Sequence, residues 1–250
     1  MDAIILAAGL GSRLKSMTET QPKCMTLIDG KSILERQLCF LDSLGVKKVY
    51  IVVGYKKEII KAKFGNFFLD IEIIYCDNDD YDKTHTLYSF LIAFKYINKD
   101  FIYLEGDVVI ERKAISYFKN FNESFFLVDF FNENMEGSVV ELNNRYIIQS
   151  INRGYRCSGV SLDKYKTLNI NFFKEDILEI INEIIQNLSE KEIREISFEG
   201  FVEVLIKSVE VSAVVVDNIK WFEIDTEDDY YFFINNIYNN IDFQNGINHD

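Results

Sequence analysis

The chain has 250 residues, 48% of them hydrophobic, enough length and apolar content to bury a full core in one α/β domain. Its formal net charge of -13, from 40 acidic against 27 basic residues, excludes a general nucleic-acid binder, which needs a basic face to neutralise phosphates. Four cysteines without a C-x-x-C pair and only two histidines offer no ligand set for zinc, and no apolar run reaches the ~18–20 residues that cross a bilayer.

The residues after Met1 read as fold rather than as a targeting signal, so a cytoplasmic protein with reduced thiols and no membrane insertion is expected. Residues 2–8 form an uninterrupted apolar run ending at Gly9, as a strand buried on both faces of a parallel sheet does. An amphipathic helix over 33–44 follows, then a strand over 48–53 closed by Gly54, a helix over 56–64, a strand over 71–75, a helix over 86–97 and a strand over 101–104. Strand and helix in alternation predict a Rossmann-like, doubly wound, mostly parallel sheet. The pattern then changes. Closely spaced β runs at 125–131, 137–142, 145–150 and 156–162 predict a small β-rich extension beside the main sheet. Residues 173–207 read as helical, 211–216 and 221–224 as late strands and 228–239 as a closing helix. With one proline and no Gly/Ser linker, residues 1–240 are expected to be a single domain, 1–124 mainly for one ligand and 125–225 mainly for another, with 241–250 frayed.

Directly after the first strand comes Gly9-Leu10-Gly11-Ser12-Arg13-Leu14, where ligands of open α/β sheets bind. Glycines let backbone amides approach phosphate oxygens, and the Arg13 guanidinium adds a planar fork of donors. A Walker A loop would need Lys where Ser12 stands, and a dinucleotide fingerprint a third glycine or alanine where Leu14 stands. An ordinary strand-to-helix turn is the plain alternative, so the neighbours decide. Lys23, after Pro22, could reach a phosphate and ease the repulsion between two reacting anions; a solvated surface lysine is the competing reading. Magnesium takes one or two carboxylates plus phosphate oxygens and water, and two acids stand at strand ends: Asp107 after Gly106, and Asp225 before the closing helix. Either would also serve as a helix N-cap. Thr84, His85, Thr86 and Ser89 open a helix and offer groups to read a base or ribose, with capping by Thr84 or Thr86 as the alternative.

Taken together, Leu6-Ala7-Ala8-Gly9-Leu10-Gly11-Ser12-Arg13-Leu14, Pro22-Lys23, Gly106-Asp107 and Glu223-Ile224-Asp225 resemble the sugar nucleotidyltransferase superfamily. Thr86-Leu87-Tyr88-Ser89 and Ser158-Gly159-Val160-Ser161 bring the resemblance nearest to its small CTP-dependent cytidylyltransferases, those acting on phosphocholine, 2-aminoethylphosphonate or phosphoglutamine. The resemblance implies an enzyme that transfers CMP from CTP to a small phosphorylated or phosphonate acceptor, as in cell-surface polysaccharide or phospholipid-like decoration. It implies Mg²⁺ on Asp107 and Asp225, and Arg13 and Lys23 on the phosphates. Nucleotide contacts fall on Leu6, Ala8, Gly9, Gly11, Ser12, Tyr55, Thr84, His85, Thr86, Ser89 and Gly106. Acceptor contacts fall on Asp129, Arg153, Arg156, Ser158 and Glu223. A homodimer is compatible with this reading, and a sugar-1-phosphate nucleotidylyltransferase is the alternative.

Overall fold

The computed structural model describes residues 1–119, 122–131, 135–155 and 164–238. In chain order the strands are β1 (Asp2–Ala7), β2 (Leu27–Ile28), β3 (Lys31–Ser32), β4 (Lys48–Val53), β5 (Phe67–Phe68), β6 (Ile71–Asp77), β7 (Phe101–Glu105), β8 (Val108–Ile110), β9 (Phe125–Phe130), β10 (Gly137–Leu142), β11 (Ile148–Tyr155), β12 (Tyr165–Phe173), β13 (Ser212–Val215) and β14 (Trp221–Glu223). The helices are α1 (Ile33–Ser43), α2 (Lys57–Phe64), α3 (Thr86–Phe94), α4 (Leu178–Gln186), α5 (Glu190–Glu195), α6 (Phe198–Leu205) and α7 (Glu227–Phe232).

Strand β1 shows why the parallel half forms. Its residues alternate between two apolar layers, Ala3, Ile5 and Ala7 on one face and Ile4 and Leu6 on the other, so helices must cover both faces. It pairs in parallel with β4 and β7, and β4 pairs in parallel with β6. One ten-stranded sheet runs in the order β11-β10-β12-β7-β1-β4-β6-β5, with β9 and β13 joined to it through β12. Beyond β7 the pairing turns antiparallel: β12 binds β7, β9 and β10. This is the expected α/β architecture, parallel at its centre with a β-rich extension.

The extension is anchored by a strand, Tyr165–Phe173, where no element was expected before residue 173. β12 carries Lys166, Thr167, Asn169 and Asn171, all buried, and from Thr167 to Phe172 its polar residues alternate with Leu168, Ile170 and Phe172, the period of a strand. Asn169 sits at φ 56, and the pairing with β9 shifts register between Thr167 and Asn171, which bends β12 from one set of partners to the other. The helical region expected over 173–207 holds three helices, α4, α5 and α6, after β12 ends at Phe173. Ser189 and Ser197 start α5 and α6 by accepting the backbone N–H of Glu192 and Gly200. The closing helix runs from Glu227 to Phe232 and continues as a π-helical turn over Phe233–Ile237. The strand expected over 156–162, with Arg156 and Ser158, and the tail 241–250 lie outside the described residues.

A third, smaller apolar cluster joins the two ends of the chain: Leu14, Ile28, Ile33, Val109, Ile224 and Phe233 pack together. Leu14 follows Arg13 and Ile224 precedes Asp225, so this packing fixes the glycine loop against the last strand. Among the described residues no helix is long and apolar enough to cross a membrane.

Candidate active site

The carboxyl ends of β1 and β7 open into a cavity of about 890 Å³. Leu6, Ala8, Gly9, Gly11, Ser12, Arg13, Lys23, Thr84, His85, Thr86, Ser89, Gly106, Asp107, Arg153, Glu223 and Asp225 all line it. Residues scattered over more than 200 positions of sequence therefore meet in one place. Two predicted positions are not in its lining. Tyr55 instead donates from its hydroxyl to the Thr18 carbonyl at 3.0 Å, and its own N–H bonds the Ala8 carbonyl at 3.0 Å, so it braces the glycine loop from behind. Asp129 accepts the Trp221 indole N–H at 2.8 Å, so a structural bond satisfies it.

The glycine loop is shaped to receive anions. Gly11 is left-handed at φ 62, and a Cβ there would come within 2.8 Å of the Lys23 Cβ, so only glycine lets the loop close over Lys23. The N–H groups of Gly9 and Gly11 donate to no backbone acceptor among the described residues. Arg13 extends from this loop and donates to Asp225 Oδ1 at 2.8 Å.

Opposite stand the strand-end acids. The Glu105–Val108 turn is pressed onto β1: the Gly106 N–H bonds the Leu6 carbonyl at 2.9 Å, and a Cβ at Gly106 would lie 2.6 Å from that oxygen. Buried Gln37, from α1, clamps the turn by donating to the carbonyls of Glu105 and Val108 at 2.7 and 3.0 Å. No helix follows Asp107, so the N-cap reading fails there. It fails for Asp225 too, because Thr226 caps α7 in a reciprocal box with Asp229. β14 pairs with β8, and the Ile224 N–H bonds the Asp107 carbonyl at 3.1 Å, which brings the two acids side by side. Lys23 lies between them, 2.7 Å from Asp107 Oδ2 and 2.5 Å from Asp225 Oδ1. It is no solvated surface lysine. Burial works against its ammonium, but Asp107 and Asp225 outweigh burial and hold its pKa above the ordinary lysine value. For Asp225 burial pushes the pKa up, while Lys23 and Arg13 pull harder and leave it below the ordinary carboxylate value.

Glu105, Lys166, Asn169 and Glu199 also line the cavity and were not anticipated as functional. Lys166 Nζ stands 3.1 Å from Glu223 Oε2, and Asn169 donates to the other Glu223 oxygen at 3.2 Å, so buried polar residues of β12 hold Glu223 in place. Burial, reinforced by Glu199, Asp107 and Glu223, raises the Glu105 carboxyl well above the usual range. One carboxylate oxygen each from Glu105, Asp107 and Glu223 lies within 4.8 Å of the others, a set able to take a divalent cation. Asp107 Oδ1 is buried without a hydrogen-bond partner, so the donors fit a hard cation. An acid on each side of a glycine at a strand end, Glu105-Gly106-Asp107, is the signal that would have included Glu105. Cys24, also in the lining, is no nucleophile at neutral pH: burial pushes its thiol up to about 12. Cys39 and Cys76 are likewise free thiols, and Cys157 lies outside the described residues.

At the start of α3 the alternative reading, capping by Thr84 or Thr86, is not met: His85 holds the N-cap position without a side-chain cap bond, and both threonines bond elsewhere. Thr84 donates to the Asp80 carbonyl at 2.9 Å, and Thr86 Oγ1 accepts the Phe198 N–H at 2.7 Å.

The site thus combines a glycine loop with strand-end acids at the carboxyl edge of a mostly parallel sheet. Residues 3–120 match the MobA-like NTP transferase domain family. The chain is 37% identical over 120 residues to the CTP:phosphoglutamine cytidylyltransferase of Campylobacter jejuni, covering 48% of this chain and 46% of that protein. Across 83% of this chain and 48% of the relative it is 32% identical to the bifunctional protein GlmU of Methanococcus vannielii. The chain thus spans about half the length, or less, of the curated relatives it matches. Among solved structures, the CTP:phosphocholine cytidylyltransferase of Streptococcus pneumoniae has the same fold, with a TM-score of 0.75 at 24% identity, over 93% of this chain and 97% of that one.

Proposed function

We propose that this protein is a magnesium-dependent cytidylyltransferase that moves CMP from CTP to a small phosphorylated or phosphonate acceptor and releases pyrophosphate. The observation that carries the reading is Lys23, held between Asp107 and Asp225 directly below the glycine loop. In this reading an acceptor oxygen attacks the α-phosphorus, the bond from that phosphorus to the β-phosphate bridging oxygen breaks, and the electron pair leaves with pyrophosphate. The acceptor is already anionic, so no general base is needed and His85 acts by contact. The loop amides and Arg13 grip the departing phosphates, and Lys23 reduces the repulsion between nucleotide and acceptor. Asp107 with Asp225, or with Glu105 and Glu223, would hold Mg²⁺, which supplies positive charge to the phosphate oxygens when bound.

The choice of CTP rests on relatives whose names are cytidylyltransferases, including the choline-phosphate cytidylyltransferase of Haemophilus influenzae. Glu199, which lines the cavity and accepts a hydrogen bond from Ser138 but forms no ion pair among the described residues, favours an acceptor that carries an amine. A sugar 1-phosphate is the second reading, favoured by the similarity to the UTP–glucose-1-phosphate uridylyltransferase of Haloferax volcanii.

Pyrophosphate release from each of the four ribonucleoside triphosphates, with Mg²⁺ and phosphocholine, phosphoglutamine, 3-aminopropylphosphonate or glucose 1-phosphate, separates the readings. Turnover is expected with CTP and an amino-bearing acceptor, and to vanish in Asp107→Ala. Turnover confined to UTP and glucose 1-phosphate would replace this reading with the second, and none with any pair would reject both.

A further inference from the structure

Arg194 lies on α5, far in sequence from the nucleotide half, yet its side chain leaves the helix for the loop that precedes α3. Its Nη2 donates to Asp80 Oδ2 at 2.9 Å, and its guanidinium stands 5.2 Å from the centre of the Tyr88 ring. Its carbonyl accepts the His85 N–H at 2.8 Å. The loop is closed on Asn78, which is buried: Oδ1 accepts the Asp80 N–H at 3.0 Å, while Nδ2 donates to Thr84 Oγ1 at 3.2 Å and Ser89 Oγ at 2.9 Å. Thr84, His85 and Ser89 line the cavity on one side, and Glu195, Ser197 and Glu199, just after Arg194, line it on another. With the Phe198 N–H bonded to Thr86, one short segment therefore grips the loop at three points while facing the rest of the cavity.

A hydrogen bond between two exposed side chains would do little, but this one closes a network already fixed at a buried asparagine. Without Arg194, Asp80 loses its cation, and the carbonyl that orders His85 loses the side chain that holds its helix to the loop. We infer that Arg194 is a positioning residue that sets the 78–89 segment for the nucleotide base. This rests on the nucleotide reading above. Because Arg194 touches no reacting atom, its loss weakens nucleotide binding and leaves the transfer step alone.

The test compares wild type with Arg194→Ala, Arg194→Lys, Asp80→Asn and the Asp80→Asn/Arg194→Ala double variant, with Arg145→Ala as a control for loss of an exposed charge. Calorimetry with Mg²⁺ and CTP, or whichever triphosphate the wild type binds best, is read beside KM, kcat and the unfolding temperature. Arg194→Ala should weaken binding roughly tenfold with kcat within about twofold, and the double variant should lose no more than either single one. Arg194→Lys should recover part of the affinity, since it keeps the charge for Asp80 but loses the planar face over Tyr88. Binding in Arg194→Ala within about twofold of wild type, or additive losses in the double variant, would overturn the inference. A wild type that binds no triphosphate would instead bring down the nucleotide reading, and the inference with it.

Discussion

Lys23 is the residue on which the cavity's charge balance turns. Its side chain and those of Asp107 and Asp225 are 15%, 16% and 27% exposed, so the ammonium offsets two carboxylates with little help from water. Lys23→Met keeps the length and removes the charge, leaving the acids to repel each other. Breaking a buried pair in this way costs about 3–5 kcal/mol, less here because the cavity admits solvent, so a loss of about 2–3 kcal/mol is expected. That is roughly 4–12 °C of unfolding temperature for a chain of this size. A divalent cation can take over the charge. Added Mg²⁺ should therefore raise the unfolding temperature of Lys23→Met more than that of the wild type, as scanning calorimetry would record. An equal response in both proteins would mean that Lys23 does not sit where the cation binds. The sequence showed Lys23 as one long cation after a proline, and nothing in its neighbours could reveal that its partners stand 84 and 202 positions away.

At the level of elements, the parallel half and most of the β-rich extension were legible, with β9, β10 and β13 falling where strands were expected, whereas no strand was expected at β12. Strands covered on both faces, such as Asp2–Ala7 and Lys48–Val53, are apolar after their first residue, and a continuous apolar run is visible in any window. β12 is also buried, but it buries Lys166 and Asn169, whose partner is Glu223 on another strand, so its alternating pattern reads as a strand with one wet face and conceals that both faces are covered. The glycines repeat the lesson at smaller scale. Gly9 and Gly11 advertised a phosphate loop, whereas the constraint on Gly106 is the Leu6 carbonyl, invisible until β7 is laid beside β1. Gly106→Ala should push the Glu105–Val108 turn off β1, destabilising the protein by about 1–3 kcal/mol and displacing Asp107 from Lys23. Activity should then fall by far more than the lost folded fraction accounts for. A variant that unfolds several degrees lower but keeps full turnover would show that the turn's position does not govern the site.

The whole molecule closes its cavity by joining the beginning of the chain to its end. Arg13 and Asp225 are bonded to each other, yet neither is rigid by itself: Arg13 is 67% exposed on its side chain and rides on a loop. What holds them is the small apolar cluster beneath, where Leu14 and Ile224 pack with Phe233. The MobA-like region ends at residue 120, so this support comes from beyond it, and that region by itself lacks both Asp225 and the packing that carries Arg13. Phe233 is fully buried, and Phe233→Ala should cost about 3–5 kcal/mol through the cavity it leaves. Stability loss alone would not distinguish a supporting role from generic packing. Phe64→Ala supplies the comparison, because Phe64 belongs to the large core under α2, away from the cavity lining. At a temperature where both variants remain folded, Phe233→Ala should bind nucleotide severalfold more weakly by calorimetry, while Phe64→Ala should bind as the wild type does. Equal affinities in the two would mean that the glycine loop keeps its shape without the carboxyl-terminal helix, and that the first half of the chain forms its anion site unaided.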